Sequence, residues 1–598
     1  MSESRDPKSS AGLTAAPTAL ASKEAADRTP AEARTGRRDF LRISSAGALV
    51  ASSGLLAACG SDSDPQAPDP NVLFLDGVAS GDPLADRVIL WTRITPQNNP
   101  PQDVIEVRWE VSTSNAFSSL VAQGSATTSA GRDWTVKVDA SGLAAGTAYF
   151  YRFTAGRSSS AIGRTKTLPT GGVSQVKFAV FSCSNFPAGY FNVYAEAAKA
   201  TDIDCALHLG DYIYEYNRAG YASAQAAALG RLSEPDAELI TLADYRRRYR
   251  QYRSDGSLQS LHAAMPMICI WDDHEVANNA WLNGAENHTP GTEGDWVARR
   301  TAALQAWYEW MPVRQPDASN ALRSYRSFDF GSLVSLHMLD TRLIGRDEQL
   351  SINSYVGAGG AFDGARFAAD VGNPSRQLLG ATQTTWLQQR MQASSATWQL
   401  LGQQVLMGRM NVPAPLLLNQ ITVSGYAALA QRAQTNPTSL TAQERAILAA
   451  PSIPYNLDAW DGYAAARETV LGMARTLDKN LVVVAGDTHN AWANDLLDAQ
   501  GNRIGVEFAT SSVSSPGFEA IFPNENPVQF AAALEQLIGP LQYADTSRRG
   551  FLTVTLTPSQ ARADWVFVST VTDRSYTATV GRSLRVLPGA TGRQIVAV

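Results

Sequence analysis

The chain has 598 residues and a formal net charge of −6 at pH 7. It contains no long basic run, so its charge argues against a dedicated nucleic-acid-binding module. Apolar residues make up 44% of the sequence, which is typical of a globular protein, and the length exceeds that of one ordinary domain. Because there are only four cysteines, we expect no disulfide framework.

Residues 1–58 have the pattern of an export signal. Arg37 and Arg38 form the twin-arginine pair of GRRDFL, and a weakly apolar stretch follows at 43–58. This stretch is shorter than the ~20 residues that span a bilayer and is rich in Ser and Gly, so a removable signal is favoured over a transmembrane helix. We expect export of the folded protein by the twin-arginine translocation machinery, to the periplasm, the cell surface or the medium.

The signal ends at Cys59. The sequence LAACG around it resembles a bacterial lipoprotein signal, in which this cysteine is acylated. Ordinary cleavage near Ala58 is the alternative. A lipid on Cys59 would anchor the protein to a membrane, and residues 59–71, rich in Gly, Ser, Asp and Pro, would then act as a tether.

Residues 72–168 consist of short alternating runs separated by turn residues. Alternation of apolar and polar residues indicates half-buried strands, and a Pro/Gly-rich linker follows at 168–172. We therefore predict a small N-terminal β-sandwich of the fibronectin-III-like kind. The predicted strands are 87–92, 105–112, 134–138 and 147–154.

From residue 173 to residue 598, strand and helix patterns alternate, which predicts an α/β (α+β) sandwich with helices flanking mixed sheets. Residues 409–460 are rich in Ala, Gln, Pro and Asn and poorly periodic, and we interpret them as an insertion near the functional site. The late strands carry more Thr and Ser, so we expect them to be partly exposed. The predicted helices are 191–199, 296–310, 377–394 and 463–477, and the later strands are 325–329, 333–339, 397–401, 505–509 and 552–556.

Four clusters of metal-ligand residues each follow an apolar run. Strands that are apolar throughout are buried on both faces, and ligands in such folds bind at the carboxyl ends of the strands. The clusters therefore predict one metal-centred active site. The apolar runs are 176–181, 206–209, 265–271 and 481–485, and the clusters that follow them are Cys183, 210–214, 271–275 and 486–489.

The first two clusters indicate iron. Asp211 follows Gly210, whose flexibility permits a tight turn, and its two oxygens could bridge two metals. Tyr214 lies three residues further on, and a phenolate ligand points to Fe³⁺. A packed aromatic is the alternative for Tyr214. Cys183 offers a thiolate, which also suits iron.

The last two clusters add oxygen and imidazole ligands. Asp272 and Asp273 are adjacent, and because neighbouring side chains diverge we expect only one of them to face the site. His274 is a candidate general acid or phosphate hydrogen-bond donor. In the fourth cluster His489 suits iron, whereas Asp487 supplies oxygen to a harder ion such as Ca²⁺.

The other histidines have no predicted part in the site. His208 and His337 lie in apolar segments and are expected to be core residues with satisfied hydrogen bonds. His262 and His288 are expected on the surface or in loops.

Together these motifs resemble the PhoD-type alkaline phosphatases of the calcineurin-like metallophosphoesterase superfamily. The resemblance covers about residues 72–590. Departures from the superfamily pattern are Cys183 in the opening ligand position, Asp273 in place of Asn, and Asp487 in place of the first His of the last motif. Further matching motifs are GVASGDP at 77–83, LWTR at 90–93, LDTR at 339–342 and DAWDGY at 458–463.

The resemblance implies a four-layer α/β/β/α sandwich and a phosphoesterase with an Fe³⁺/Ca²⁺ site that acts on phosphate mono- or diesters. It implies Arg342 and Asn278 as substrate ligands, since a planar guanidinium matches phosphate, and it assigns catalytic roles to Asp211 and His274. The resemblance also leaves nucleotide and nucleic-acid esters among the candidate substrates. Bacterial phospholipases D of the same superfamily share the pattern, so a phospholipase D-like phosphodiesterase is an alternative.

Two hypotheses from other classes compete with this one. A serine hydrolase is disfavoured because the chain has no G-x-S-x-G motif, and Ser182 and the serines of 511–515 lack a credible histidine partner. A non-catalytic surface-binding lipoprotein, with the β-sandwich as its binding module, would have no need for clustered ligands at strand ends.

Overall fold

The computed structural model describes residues 70–98 and 101–598. The predicted twin-arginine signal at 1–58, Cys59 and all but the last two residues of the predicted tether at 59–71 lie outside the described residues. Within the described part, none of the helices has the length and apolarity needed to cross a membrane.

The strands, numbered in chain order, fall into an N-terminal group and a later group. The N-terminal strands are β1 Val72–Leu73, β2 Val78–Gly81, β3 Arg87–Arg93, β4 Thr95–Pro96, β5 Ile105–Ser112, β6 Leu120–Thr128, β7 Thr135–Ser141, β8 Ala148–Ala155, β9 Ser158–Ser159 and β10 Gly163–Lys166. The later strands are β11 Val176–Phe181, β12 Cys205–His208, β13 Met267–Cys269, β14 Arg326–Phe330, β15 Val334–Met338, β16 Trp398–Gly402, β17 Asn411–Pro413, β18 Ser452–Pro454, β19 Leu481–Ala485, β20 Ala491–Leu497, β21 Arg503–Ala509, β22 Leu541–Asp545, β23 Gly550–Thr557, β24 Gln560–Val568, β25 Ala578–Val586 and β26 Val596–Ala597.

The α-helices lie mostly after β11. They are α1 Asn192–Ala197, α2 Leu242–Arg253, α3 Gly256–Ala264, α4 Pro290–Glu293, α5 Trp296–Trp310, α6 Gly364–Val371, α7 Gly380–Ala393, α8 Ala414–Leu417, α9 Val423–Thr435, α10 Ala442–Ala449, α11 Ala464–Thr476, α12 Phe518–Ile521 and α13 Pro527–Leu537.

Two large sheets pack face to face. The first has the order β26-β25-β24-β23-β11-β12-β13-β2-β3-β7, and the second has the order β14-β15-β16-β19-β21-β20-β22. Side chains alternate along each strand, so one face of each sheet supplies the core between them. Phe178 and Leu207 of the first sheet share one apolar cluster with Leu400 and Val482 of the second.

Helices cover the outer face of each sheet and complete the four layers. Trp307 of α5 and Tyr249 of α2 belong to the cluster that holds Phe181, on the opposite face of β11 from Phe178. Leu471 of α11 belongs to the cluster that holds Val483 on the outer face of β19. The predicted α/β/β/α sandwich is therefore confirmed.

The core strands and helices occur close to their predicted positions, but the late strands differ from expectation. Strands β21 and β23 were expected to be partly exposed. This expectation is wrong for residues 505–509 of β21, which are buried, whereas β23 has half-buried Thr555 and Thr557 among its buried residues. Strand β21 lies between β19 and β20, and β23 lies between β11 and β24. The Thr residues of β23 are buried or half-buried because this strand occupies the middle of a sheet.

The N-terminal region has the two facing layers of a β-sandwich. One layer is a separate sheet with the order β10-β8-β5-β6, to which β9 is attached. The other layer is formed by β2, β3 and β7, and the core between the layers contains Val78, Leu90, Val107 and Tyr151.

One layer of this sandwich is continuous with a sheet that lies mostly after the predicted linker at 168–172. Strand β2 pairs in parallel with β13, with Gly81 opposite Met267, so the ten-stranded sheet continues into the sandwich. The buried Asp82 also accepts a hydrogen bond of 2.7 Å from Arg326 Nη2. Sequence patterns indicate each strand but not which distant strand lies at its edge.

Residues 409–460 contain regular structure that the sequence pattern did not predict. The antiparallel pair β17–β18 brackets α8, α9 and α10. Helix α10 begins with a capping box in which Thr441 and Glu444 exchange hydrogen bonds.

Gly210 allows close packing between the loop after β12 and the loop after β13. Its φ is +106°, and a Cβ atom there would lie 2.2 Å from Asp272 Cβ and 2.5 Å from the Asp272 nitrogen. We expect Gly210→Ala to lower the free energy of unfolding by about 2–5 kcal/mol, because strain and overlap with the backbone add. Urea denaturation measures this.

Gly472→Ala is the matched control for Gly210→Ala. Gly472 lies within α11, and its added Cβ would have nothing within 4 Å. Alanine favours the helix, so this variant should be unchanged or more stable by up to about 1 kcal/mol. Equal stability of the two variants would contradict the role given to Gly210.

Candidate metal centre

Four loops that follow parallel core strands meet at one place. Three follow β11, β12 and β13, which are neighbours in the first sheet, and the fourth follows β19 of the second sheet. The loops carry the predicted ligands, as expected for the carboxyl ends of parallel strands.

Four of the predicted ligands have left-handed backbone conformations, which are uncommon for residues other than glycine. The angle φ is 62° at Cys183, 53° at Asp211, 64° at Asp487 and 64° at His489. Such conformations are costly and persist where the surrounding structure imposes them, often at functional sites. Their occurrence at four predicted ligands supports the prediction that these loops form a functional site.

The ligand atoms form three overlapping groups. Within each group, the atoms lie within 4.8 Å of one another, and Asp211 and Asp273 each belong to two groups. The groups are Cys183 with Asp211 and His489, Asp211 with Asp273 and His274, and Asp272 with Asp273 and Asp487. We call this set, together with Tyr214, the metal centre.

The donors of the metal centre fit metal ions. Asp211 Oδ1, Asp273 Oδ1 and Asp272 Oδ2 are buried without a hydrogen-bond partner. A buried, unpaired carboxylate oxygen carries a large desolvation cost, which a bound cation would offset. Sulfur, nitrogen and oxygen donors occur on one side of the centre, and carboxylate oxygens alone occur on the other.

Tyr214 lies among the ligands rather than in the aromatic core. Its hydroxyl donates to Asp211 Oδ2 at 3.0 Å, and it lies 3.2 Å from His489 Nε2 and 2.7 Å from Ser515 Oγ. Burial and the neighbouring Asp211 and Cys183 raise the pKa of Tyr214 well above its usual value. A phenolate here therefore requires a cation close by.

His489 presents one particular nitrogen to the centre. Its Nδ1 donates to the carbonyl oxygen of Pro516 at 2.9 Å, and the Tyr221 hydroxyl lies 3.1 Å from the same nitrogen. The proton on Nδ1 leaves the lone pair of Nε2 available as a ligand. Burial lowers the pKa of His489 to about 3, so the ring is neutral, as metal binding requires.

His274 is held by a buried carboxylate. Its Nδ1 lies 2.7 Å from Glu215 Oε2, and its ring stacks on Tyr214 with 4.3 Å between ring centroids. Burial opposes protonation, but Glu215, Asp273 and Asp211 together raise the pKa of His274 well above 6.5. The charged imidazolium is suited to donate a proton or a hydrogen bond.

The two predicted substrate ligands have different surroundings. Asn278 is half-buried on the loop that carries His274, and its backbone N–H donates to Glu215 Oε1 at 2.8 Å. Arg342 is fully buried, and its guanidinium is occupied by carboxylates rather than free. It donates to Asp272, to Asp458 Oδ2 at 2.6 Å and to Asp487 Oδ1 at 2.7 Å. Contact of either residue with phosphate stays a prediction.

Asp272 and Asp273 both contribute to the centre, so the expectation that only one would face it is wrong. Each supplies an oxygen to the group completed by Asp487. These residues lie in an irregular loop rather than an extended strand, so their side chains do not diverge to opposite faces. Despite burial, Arg342 and His274 lower the pKa of Asp273 to about 2, whereas burial raises the pKa of Asp272.

Glu275 joins two of the ligand loops. Its carboxylate accepts hydrogen bonds from the backbone N–H groups of Asp211 at 3.0 Å, Tyr212 at 2.5 Å and Asp272 at 2.6 Å. The loops after β12 and β13 are thus fixed to each other. Glutamate in this position satisfies backbone donors that a tight loop cannot pair by itself.

Several contributors were missed from the sequence. Asp458 stands in the DAWDGY motif, and Glu275 stands in the cluster at 271–275, so each was visible but had no assigned role. Glu215 directly follows Tyr214, and its charge in an otherwise apolar and aromatic segment was the available signal. Ser515 had no sequence signal, because only the fold brings it to Tyr214.

Of the remaining histidines, His208 and His337 are buried, as expected. Both ring nitrogens of His337 have partners, whereas His208 has Tyr194 at Nε2 but no hydrogen-bond partner at Nδ1. The prediction of a surface or loop position is wrong for His262, which is fully buried in α3 with its Nε2 2.9 Å from the Tyr212 hydroxyl. His288 does lie in a loop, just before α4, and is buried there beside Arg299.

Comparison with known proteins agrees with this geometry. The family model for PhoD-like phosphatases matches residues 178–565, and the model for the N-terminal domain of the same family matches residues 59–169. Alkaline phosphatase D of Bacillus subtilis (strain 168) is 35% identical over 516 residues, which are 84% of this chain and 78% of that protein. A solved structure described as PhoD superposes with a TM-score of 0.71 at 33% identity, covering 89% of this chain and 93% of that one.

These matches extend across both the N-terminal region and the metal centre. The non-catalytic binding protein considered as an alternative is therefore wrong for this chain. Its ligand-rich strand ends, its four-layer fold and its relatives agree: the chain belongs to the PhoD-like phosphatase family and is a phosphoric ester hydrolase.

Proposed function

We propose that this chain is an exported alkaline phosphatase of the PhoD type that hydrolyses phosphate mono- or diesters with an Fe³⁺/Ca²⁺ centre. The observation that carries the proposal is the overlap of three buried or half-buried groups of metal-ligand residues through Asp211 and Asp273. Overlapping groups are what two adjacent metal sites require, and paired metals are a common device of phosphoesterases.

The two sides of the metal centre suit different ions. Cys183, Tyr214 and His489, with Asp211, would hold Fe³⁺, since thiolate, phenolate and imidazole are suitable ligands for iron. Asp211, Asp273 and Asp487 would hold Ca²⁺, which prefers oxygen ligands. Asp272 adds an oxygen beside Asp273 and Asp487.

The metals, when bound, would supply charge stabilisation for the phosphoryl oxygens and an activated water. The protein residues supply positioning and proton transfer. Glu215 Oε2 is hydrogen-bonded to Nδ1 of His274. Nε2 is therefore the nitrogen that can donate a hydrogen bond to phosphate or a proton to the leaving oxygen. Arg342 holds Asp487 and Asp272 in place through its ion pairs.

Asp211→Asn should lower kcat/KM for a phosphate ester by at least ~10³, because the residue shared by two ligand groups loses a negative charge. Metal analysis and steady-state kinetics on the same preparation measure this. Asp202→Asn, at a side chain that is 62% exposed, is the matched control and should behave like the parent. Activity within tenfold of the parent, with metal retained, would contradict the proposal.

Tyr214→Phe should abolish the visible absorption expected from tyrosinate bound to Fe³⁺, because the charge-transfer donor is removed. Absorption spectroscopy and iron analysis of protein exported by its native route test this. Tyr212→Phe is the control, since the Tyr212 hydroxyl contacts His262 in the core instead. A parent protein that contains zinc alone and has no such band would refute the iron assignment.

Calcium removal should silence the enzyme reversibly. A chelator selective for Ca²⁺ removes the ion from the carboxylate side, whereas the thiolate, phenolate and imidazole retain iron. Activity should return when Ca²⁺ is added back, with the iron content constant throughout. Full activity after verified loss of calcium would refute the calcium assignment.

Replacement of the twin-arginine pair, Arg37→Lys with Arg38→Lys, should block export and leave the protein in the cytoplasm. Fractionation of cells that produce the two forms measures this. Acylation of Cys59 is tested separately by mass analysis of the mature N-terminus, and a diacylated cysteine would be needed for firm anchoring. Unchanged secretion of the double variant would refute twin-arginine export.

A further inference from the structure

We propose that a buried group of side chains around Arg253 binds chloride or another monovalent anion of similar size. The inference goes beyond the proposed function and does not depend on the metals. We call this group the Arg253 site. It consists of Arg253 at the end of α2, Trp91 of β3, Tyr249 of α2, His262 of α3 and Tyr212 in the loop after β12, and each of them is at most 1% exposed.

Ring contacts join the members of the Arg253 site. The guanidinium carbon of Arg253 lies 4.2 Å from the centroid of the Trp91 ring. Tyr249 lies one helical turn before Arg253, and its ring stacks on Tyr212 with 6.2 Å between centroids. The rings of Tyr212 and His262 are 5.9 Å apart. Residues from three helices and loops of the outer layer and from one strand of the first sheet thus enclose the site.

The guanidinium of Arg253 has no partner of opposite charge. Its Nε, Nη1 and Nη2 atoms are all buried, and none of them has a hydrogen-bond partner among the residues that the structure describes. A guanidinium carries five N–H donors, has no acceptor and stays protonated in proteins. The Trp91 ring offsets only part of the cost of burial, because cation–π attraction is weaker than the lost hydration of a charge. A counter-ion is therefore required.

The neighbouring acidic groups do not supply this negative charge. Asp255, two residues after Arg253, pairs with Arg231 Nη1 at 2.7 Å and caps the first turn of α3. Asp82 pairs with Arg326 Nη2 at 2.7 Å. Burial raises the pKa of the Cys269 thiol, although the charge of Arg253 acts on it in the opposite direction, so the thiol is neutral at pH 7.

His262 and the two tyrosines add hydrogen-bond donors to the site. Burial and the Arg253 charge keep the pKa of His262 well below 6.5, so its ring is neutral and has one N–H. Its Nε2 lies 2.9 Å from the Tyr212 hydroxyl, and its Nδ1 is buried without a partner. Either tautomer leaves this pair one hydrogen to donate, from Nδ1 or from the Tyr212 hydroxyl. The Tyr249 hydroxyl is also buried and unpartnered.

Surplus donors around one positive charge favour an anion over a water molecule, since water accepts hydrogen bonds but supplies no negative charge. One guanidinium balances one negative charge, and aromatic surroundings disfavour a strongly hydrated divalent ion such as sulfate. Chloride meets both conditions. Because Tyr212 directly follows Asp211, the anion would support the buried side of a loop that carries a predicted metal ligand.

The test follows thermal unfolding of the metal-loaded protein while potassium chloride replaces potassium gluconate at constant ionic strength. Gluconate is too large for the site. We expect the unfolding midpoint to rise by about 1 °C for each tenfold increase in chloride above the dissociation constant, because only the folded chain binds the anion. A midpoint that stays constant between about 1 and about 300 mM chloride would overturn the proposal.

Two arginines of α2 provide a matched pair of variants. Arg253→Met removes the charge but keeps an apolar stem against Trp91, and it should abolish the chloride dependence of the midpoint. Arg250→Met is the control, because the Arg250 side chain is 48% exposed and pairs with Asp133. This variant should keep the chloride dependence of the parent. Equal chloride dependence in Arg253→Met and the parent would place the anion elsewhere and refute the Arg253 site.

Crystals of the parent protein grown with bromide in place of chloride provide a measurement that needs no variant. We expect an anomalous scattering peak from bromide next to the Arg253 guanidinium. Water molecules alone at this position, or a carboxylate in contact with the guanidinium, would overturn the proposal.

Discussion

The carboxylates of Asp211, Asp272 and Asp273 are buried and that of Asp487 is half-buried, and they lie close together where water screens their mutual repulsion poorly. Arg342 offsets part of this charge through its contacts with Asp272 and Asp487. Burial still raises the pKa of Asp487 to about 7 and keeps the pKa of Asp211 high. Cations at the metal centre would remove this electrostatic cost. The crowding of carboxylates that destabilises the metal-free protein therefore favours metal binding.

The fold brings these charges together through its strand ends and keeps them there through the backbone. Gly210 permits the loops after β12 and β13 to touch, and Glu275 ties both by hydrogen bonds to their N–H groups. The ligand from β19 belongs to the other sheet, so the packing of the two sheets sets the distance between the two halves of the site. The apolar core between the sheets is therefore part of the functional geometry.

Residues 409–460 connect this centre to its surroundings. Asp458, at the end of the segment, pairs with Arg342 and Arg346, and Tyr455 lines both an apolar pocket and a more polar one that also includes Asp458. A change in this segment can thus affect both the charge balance of the metal centre and the shape of the space beside it.

Local sequence determined the strands, the ligand types and their order. Buried strands such as Val176–Phe181 and Leu481–Ala485 have the predicted bounds because apolar runs between turn residues are short-range signals. The candidate ligands Cys183, Tyr214 and His489 were recognisable because each follows such a run. Family resemblance added the expected metals and the four-layer arrangement, which periodicity alone does not contain.

Only the tertiary structure decided how distant groups meet. The carboxylate partners of Arg342, the contact of Ser515 with Tyr214 and the burial of His262 all join residues far apart in the chain. The same is true of β2 and β13, whose pairing merges the predicted sandwich with the main sheet. Sequence patterns report the environment of a residue along its own element, whereas these contacts depend on which elements pack together, and packing is a property of the whole chain.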